Sequence, residues 1–346
     1  MNKTQSEWVK NPDGTRGWVW NPITGSLGDC PNPNARKLAN GRLKERYLAN
    51  DNIAPVYEGR IVLRLEDPFY PRFWEDRLNS IGKPNDYGYS QVKHRKGISV
   101  CEMSDLFGIG IPDEWIELVL GEILRWPEHR FYLRTKQPQN LPAWSPFPDN
   151  CWVGVPATDS EQYSRAVYWL KEIEAKVKYI LLEPLLERIQ LKAWPWQLFP
   201  EGKPKGICDQ VIIGAQTKPY KPPEIEHIRE IVEACDKAGV PVFLRNNLVP
   251  LFNTQKTIPR WATNQTGLRQ EMPNVKREVS VLRTWICERC NREINVSFPC
   301  RRCNRQVCGE CIVLREGSLQ LCLDCAGDIE SQSQLWCEVH YAKANT

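Results

Sequence analysis

Residues 151–184 read CWVGVPATDSEQYSRAVYWLKEIEAKVKYILLEP and contain two apolar runs separated by an amphipathic stretch. The runs predict strands at 151–156 and 177–182, because short Val- and Ile-rich segments are typical of buried strands. The amphipathic stretch at 159–175 predicts a helix. A strand, a helix and a second strand form a βαβ unit, so this stretch predicts a parallel sheet.

The same alternation extends over residues 98–247. Helices are predicted from Asp113 to the turn before Pro127 and from Pro223 to Ala238, which Gly239 follows as a suitable C′ residue. Further strands are predicted at 18–21, 98–104, 130–135, 210–214 and 240–245. About seven βα units predict an α/β fold with a TIM-type (β/α) barrel, full or partial. A doubly wound open sheet is the alternative.

The length of 346 residues exceeds that of most single cores and predicts two domains. We predict a barrel domain at 1–250 with an insertion at 40–97, a linker at 251–284, a cysteine-rich module at 285–328 and a tail at 329–346.

The charge distribution gives weak information about partners. The formal charge of +4 is small for this length and indicates neither nucleic acid nor a membrane. Residues 256–305 are locally basic, with eleven Lys and Arg against four Glu, which favours either a solvated surface or a phosphate-binding patch. The opening stretch MNKTQSEWVKNPDG has no apolar run of signal-peptide length. We expect a cytoplasmic protein without a membrane partner.

Eight of the fourteen cysteines fall in four C-x-x-C pairs near the end of the chain. Each pair can present two sulfurs to one tetrahedral ion, so the spacing predicts zinc rather than a ferredoxin-type cluster. A module of about fifty residues cannot stabilise itself by apolar burial alone, and we expect the metal to be structural. Cys337 and His340 form a fifth pair, interpreted as a surface turn or as a replacement for one predicted pair.

The central segment PCRRCNRQVCGEC, residues 299–311, resembles cross-brace zinc fingers of the FYVE and RING type. The resemblance implies that pairs one and three share one zinc ion, while pairs two and four share another. The first ion would be bound by Cys287, Cys290, Cys308 and Cys311. The second would be bound by Cys300, Cys303, Cys322 and Cys325.

Nine short motifs follow one another between residues 17 and 250. They are WNPITG (20–25), ARKLANG (35–41), MSDLFG (103–108), PDEWI (112–116), LRTKQ (133–137), WVGV (152–155), LEPLL (182–186), VIIG (211–214) and AGVPVF (238–243). Their order resembles a phage and prokaryotic family of radical-SAM-like proteins of unknown function, the DUF5131 type. The resemblance implies a radical-SAM-like barrel, S-adenosylmethionine and a [4Fe–4S] cluster.

The cluster motif of that family is C-x₃-C-x₂-C after WNPxTG, and it is degenerate in this chain. The corresponding residues are Ser26, Cys30 and Pro33. Three thiolates are required at that spacing, and proline has no ligating side-chain atom. We therefore expect no stable cluster at this loop.

Polar residues after the predicted strands are the candidates for a ligand pocket, because the loops at the carboxyl ends of barrel strands carry function. They are Glu102, Ser104, Asp105, Thr135, Lys136, Glu183, Gln216 and Arg245. The alternative interpretation is that these groups cap elements or pair with one another.

Two functions are consistent with these patterns, and neither assigns a catalytic residue. In the first, a radical-SAM-family barrel acts on or binds a large substrate, such as nucleic acid or protein, that the zinc module recognises. In the second, the barrel has lost its cluster and is a non-catalytic scaffold whose zinc module binds a protein or nucleic acid.

Overall fold

The computed structural model describes residues 1–28, 34–55, 66–78, 80–81, 95–190, 207–253, 258–265 and 267–275, together with short parts of 285–324. The chain divides into two compact units, Met1–Asn274 and Val275–Thr346. The predicted domain boundaries themselves stay a prediction.

The first unit is built on an eight-stranded sheet. Its strands are β1 (Asn2–Lys3), β2 (Trp18–Trp20), β3 (Gly97–Val100), β4 (Arg130–Arg134), β5 (Cys151–Pro156), β6 (Val177–Leu182), β7 (Gln210–Ile213) and β8 (Val242–Leu244). Strands β2 to β8 are parallel and adjacent in chain order, and β1 pairs antiparallel with β2. Each of the seven predicted strands is present, which confirms a mixed α/β fold with a mostly parallel sheet.

The sheet is not closed among the described residues. Strand β1 occupies the outer edge of β2. The outer edge of β8 is occupied by residues 269–271, since Leu244 N donates to Arg269 O at 2.7 Å and Glu271 N donates to Val242 O at 3.0 Å. The outer edges of β2 and β8 are therefore each hydrogen-bonded to another segment of backbone, and β2 and β8 do not pair with each other. The sheet is open among the described residues, as in the doubly wound alternative, but β2 to β8 do not reverse their strand order as that fold does.

Three amphipathic helices cover one face of the sheet. The described helices are α1 (Ala35–Asn40), α2 (Lys44–Leu48), α3 (Glu75–Leu78), α4 (Asp113–Leu124), α5 (Ser160–Lys171), α6 (Ile225–Ala238) and α7 (Val249–Asn253). The three that cover this face are α4, α5 and α6. Helices α4, α5 and α6 connect consecutive parallel strands, and right-handed crossovers in one direction put them on the same face. Their apolar residues form one core with alternate residues of the strands, such as Phe131 and Val153.

The other described elements of this unit are short. Two hairpins pair Gln216–Thr217 with Tyr220–Lys221 and Thr263–Asn264 with Gly267–Leu268, and Ile23–Thr24 pairs antiparallel with the distant Arg72–Phe73. The 3₁₀ helices are Pro138–Trp144, Asn246–Leu248 and Arg260–Ala262. In the part of the chain that the structure describes, no helix has the length and hydrophobicity needed to cross a membrane.

The second unit contains antiparallel hairpins in its described residues. Trp285–Ile286 pairs with Glu293–Ile294, Phe298–Pro299 with Gln306–Val307, and Ile312–Leu314 with Gln320–Cys322. In addition, Trp285–Ile286 contacts Gln306–Val307, and Phe298–Pro299 contacts Gln320–Cys322. Each described hairpin therefore contacts the next hairpin along the chain.

Candidate functional site

The carboxyl ends of β2 to β8 lie along one edge of the sheet, and each predicted pocket residue follows one of these strands. Ligands of parallel α/β sheets bind at this edge, where loops vary without disturbing the core. The candidates form two groups of contacts, one around Asp105 and one around Arg245.

Asp105 joins the loops that follow β3 and β4. Its side chain is 0% exposed, and its carboxylate accepts from Lys136 N at 2.8 Å, from Phe107 N at 3.2 Å and from the Thr135 side chain. Burial raises the pKa of this carboxyl to about 6, although the hydrogen bonds and the charge of Arg134 act in the opposite direction. The bonds go to backbone and a buried hydroxyl, so Asp105 braces the two loops.

Ser104 and Ser26 fix the start of the degenerate cluster loop. The Ser104 hydroxyl donates to Gly25 O at 2.6 Å, and Gly25 N donates to Met103 O at 2.8 Å. Ser26 is 1% exposed; its N–H donates to Phe69 O at 2.9 Å and its hydroxyl to Gly28 O at 3.1 Å. Cys30 and Pro33 lie outside the described residues.

Gly25 shows why this loop approaches its neighbours so closely. Its φ of 84° is in the left-handed region, which glycine adopts without a steric penalty. A Cβ at this position would lie 2.6 Å from Phe69 O. The backbone of the loop therefore packs directly against the segment that carries Phe69.

Arg245, which follows β8, binds the carboxylates of Glu7 in the N-terminal segment and of Glu183 after β6. Its Nε and Nη2 donate to the two oxygens of Glu7 at 3.1 and 2.7 Å, and its Nη1 donates to Glu183 Oε1. Asn246 N also donates to Glu7 Oε1, at 2.9 Å, and Asn247 Nδ2 donates to Glu183 Oε1 at 3.2 Å. Burial raises the pKa of Glu7, but the bonds and charge of Arg245 outweigh it, and the pKa lies below the ordinary value.

Glu102 and Gln216 do not join either group through the contacts described. The Glu102 carboxylate accepts from the Thr4 hydroxyl at 3.2 Å. Gln216 begins a small hairpin, and its side-chain amide donates to Pro219 O at 3.1 Å. The sequence prediction therefore named residues at the right edge of the sheet without predicting which of them meet.

The N-terminal segment (residues 4–11) is the feature that the sequence did not predict. It crosses the face of the sheet opposite the helices, from Glu102 after β3 to Arg245 after β8. Trp8 is 1% exposed, and its ring centroid lies 5.7 Å from that of Tyr132 and 5.4 Å from that of Tyr179. The sequence signal for burial of this segment is the apolar pair Trp8-Val9 in an otherwise polar stretch. This segment buries the second face of the sheet.

The zinc ligands fall mostly outside the described residues. Six of the eight predicted cysteines do so: Cys287, Cys300, Cys303, Cys308, Cys311 and Cys325. For Cys322 only the backbone is described, as the last residue of its strand. Among the side chains that the structure describes, no group of three or more His, Cys, Asp or Glu could bind a metal ion. The zinc prediction is therefore untested.

The fold and the site define a mixed α/β protein with a singly wound parallel sheet and polar residues at its carboxyl edge. A profile of the family described as "Protein of unknown function (DUF5131)" matches residues 3–253. The chain belongs to this family. Comparison with curated proteins and with solved structures gave no match.

Proposed function

We propose that this chain is a non-catalytic, radical-SAM-like scaffold that binds a macromolecular partner, protein or nucleic acid, through a cross-brace module with two zinc ions. Ser26 carries the proposal. It occupies the position of the first cluster cysteine, it is 1% exposed, and its hydroxyl already donates to Gly28 O.

The residues at the loop do not fit a [4Fe–4S] cluster. A cluster with one open iron requires three thiolates, and here only Cys30 can supply one. Serine oxygen is a hard donor that suits iron–sulfur clusters poorly, and Pro33 has no donor. No reaction step is assigned to S-adenosylmethionine, whose binding to the iron depends on that cluster.

The polar residues at the carboxyl edge support a scaffold role. Both oxygens of Asp105 and both oxygens of Glu7 accept from groups of the protein itself. Catalytic acids and bases need a hydrogen bond to the reacting group, and these carboxylates bond to the backbone and to Arg245 instead. Such networks stabilise loops in a fixed arrangement.

Backbone contacts in the second unit support the cross-brace arrangement. Cys287 and Cys290 follow Trp285–Ile286, and Cys308 and Cys311 follow Gln306–Val307; these two strands are in contact. In the same way Phe298–Pro299 precedes pair two and contacts Gln320–Cys322, whose last residue begins pair four. Besides the hairpin that pairs the strands before pairs two and three, these contacts bring together the strands before pairs one and three, and the strand before pair two with the strand that ends at pair four.

A side-chain contact connects the first and the fourth cysteine pair. Arg289, inside pair one, donates to the carboxylate of Asp324, inside pair four, at 2.9 Å. These pairs bind different ions in the cross-brace arrangement, so this ion pair links the two metal sites. The basic stretch at 256–305 supports a nucleic acid as the partner, because Lys and Arg near phosphates give most of the affinity for nucleic acids.

Anaerobic reconstitution with iron and sulfide tests the proposal. The wild-type chain should show no visible cluster absorbance and should not cleave S-adenosylmethionine. The variant Ser26→Cys with Pro33→Cys restores the three-thiolate spacing and should gain iron. A matched variant, Ser104→Cys with Pro33→Cys, has the same number of cysteines at the carboxyl edge but lacks the C-x₃-C-x₂-C spacing. This variant should not gain iron. A cluster in the wild-type chain would refute the proposal.

A further inference from the structure

Three polar groups lie on the helix-free face of the sheet without a hydrogen-bond partner among the described residues. They are Trp8 Nε1, Ser99 Oγ and Arg134 Nε, all buried atoms. The Trp8 and Ser99 side chains are 1% and 0% exposed. Buried polar groups are almost always hydrogen-bonded, because leaving one unpaired costs the full loss of its hydration. Three such groups on one face indicate a site for a polar ligand.

The three groups belong to one neighbourhood around Tyr132. Ser99 is the residue opposite Tyr132 in the pairing of β3 with β4. Arg134 is two residues further along β4, and side chains two apart in a strand share a face. The Trp8 ring contacts Tyr132 and lies 6.0 Å from the Arg134 guanidinium carbon. The N-terminal segment thus covers Arg134 with an aromatic ring.

The neighbouring groups are already bonded elsewhere. The Asp105 carboxylate accepts from Lys136 N and Phe107 N. The Tyr179 hydroxyl donates to Leu133 O at 3.0 Å, and Tyr179 lies over Gly154, where no Cβ could fit. The Arg134 side chain has no hydrogen bond or ion pair in the part of the chain that the structure describes. An unpaired guanidinium in a partly buried position calls for an acceptor from a ligand.

We propose that Arg134, Trp8 and Ser99 bind the oxyanion group of a small molecule, a carboxylate or a phosphate. The guanidinium edge that includes Nε presents two parallel N–H groups, which match two oxygens of such a group. The indole N–H can only donate, and the Ser99 hydroxyl adds a third donor. Arg134 is the half-buried member of the set and ends β4, so the ligand enters from the carboxyl edge.

The charges around the site limit its affinity. Burial is the largest influence on the pKa of both Tyr179 and Asp105 and raises it, and the charge of Arg134 lowers it at both. Glu102 also raises the pKa of Tyr179, so two carboxyl groups, Glu102 and Asp105, lie near Arg134 or its neighbours. These carboxylates repel an anion, and the two parallel N–H groups of the guanidinium are what favours an oxyanion over chloride. The site is independent of the proposed scaffold function and of any metal.

The indole N–H resonance of Trp8 reports on the site directly. Full-length zinc-loaded protein with ¹⁵N-labelled tryptophan is titrated at constant ionic strength and pH 7 with potassium phosphate in one arm and acetate in the other, and chloride is the reference. The Trp8→Phe variant assigns the resonance. We expect a saturable shift of the Trp8 resonance in one arm, which identifies a phosphate or a carboxylate as the ligand.

Variants separate this site from general anion effects. Arg134→Gln should abolish the saturable shift, and Ser99→Ala should weaken binding several-fold without a change in fold. Arg130→Gln is the matched control, because Arg130 lies on the same face but already donates to Tyr132 Oη at 3.3 Å and stacks over Trp152; it should retain the shift. A shift that persists in folded Arg134→Gln, a linear response, or no response in either arm would overturn the proposal. If Arg134→Gln does not fold, the wild-type and Ser99→Ala titrations decide.

Discussion

Gly154 is the position where the packing of the helix-free face can be tested most sharply. It lies on β5, and a Cβ added there would lie within 2.5 Å of three atoms of the Tyr179 ring. Carbon atoms in contact are about 3.5–4.0 Å apart, so the ring of a Gly154→Ala variant must retreat by about 1 Å or more.

The retreat has two costs. Tyr179 is 1% exposed and packs against Trp8, so movement of the ring forces the N-terminal segment outward; overpacking of this kind costs about 1–3 kcal/mol. The bond from the Tyr179 hydroxyl to Leu133 O, 3.0 Å long, is lost as well, at about 1 kcal/mol. We expect Gly154→Ala to lower the free energy of unfolding by about 2–4 kcal/mol.

Urea unfolding followed by tryptophan fluorescence, with zinc present, measures this change. Gly121→Ala is the matched control: Gly121 lies in α4 with no atom within 4 Å of an added Cβ. The same substitution should there stabilise the protein by about 0.5–1 kcal/mol, because alanine is the better helix former. If Gly154→Ala and Gly121→Ala have the same effect, Tyr179 does not lie over β5 as described.

Three further experiments test the contacts at the carboxyl edge of the sheet and in the second unit. Glu7→Gln removes the charge that Arg245 binds in two bonds and should cost about 1.5–3 kcal/mol in urea unfolding, whereas an effect under about 0.5 kcal/mol would mean that the N-terminal segment is not fixed there. The pKa of Asp105 is higher in the folded state, so binding of a proton to this carboxyl stabilises the fold. This contribution to stability is complete below pH 3.8 and is lost as the pH rises through about 6. Relative to Asp105→Asn, the wild-type protein should therefore lose about 2 kcal/mol of stability between pH 4 and pH 7, and a constant difference would contradict the burial of this carboxyl. In the cross-brace arrangement, Cys287→Ser and Cys308→Ser should each remove one zinc ion, and the double variant should still remove only one; a loss of both ions from the double variant would indicate pairing of neighbouring cysteine pairs instead.

The sequence predicted the strands because they are apolar on both faces. Buried parallel strands appear as continuous apolar runs, and residues 151–156 and 177–182 have this pattern. Cys101, Cys151, Cys208 and Cys235 lie in or beside such runs, as expected of small buried residues, and all four are buried.

The sequence did not predict how the sheet ends. Closure of the sheet depends on which backbone segments pair with the outer edges of β2 and β8. These segments are β1 and residues 269–271, and each is only two or three residues long and lies outside the adjacent βα units. Neither has a periodic pattern that marks it as a strand.

Arg134 shows why part of the candidate site was missed. The sequence predicts pocket residues in the loops after each strand, such as Thr135 and Lys136, whereas Arg134 is the last residue of β4 itself. Its importance comes from Trp8, more than a hundred residues earlier, which covers it. Contacts of that sequence separation leave no local signal. The bonds of Arg245 to Glu7 are hidden for the same reason.

The central claim is that the α/β unit has lost its cluster while the second unit binds zinc, and one measurement tests both parts. Metal content per chain is determined by mass spectrometry after anaerobic reconstitution with iron and sulfide, followed by desalting. We predict about two zinc ions and almost no iron per chain, because eight paired cysteines remain at the C-terminal end and only Cys30 remains at the cluster loop. About four iron atoms per chain, with the absorbance of a cubane cluster, would contradict the account.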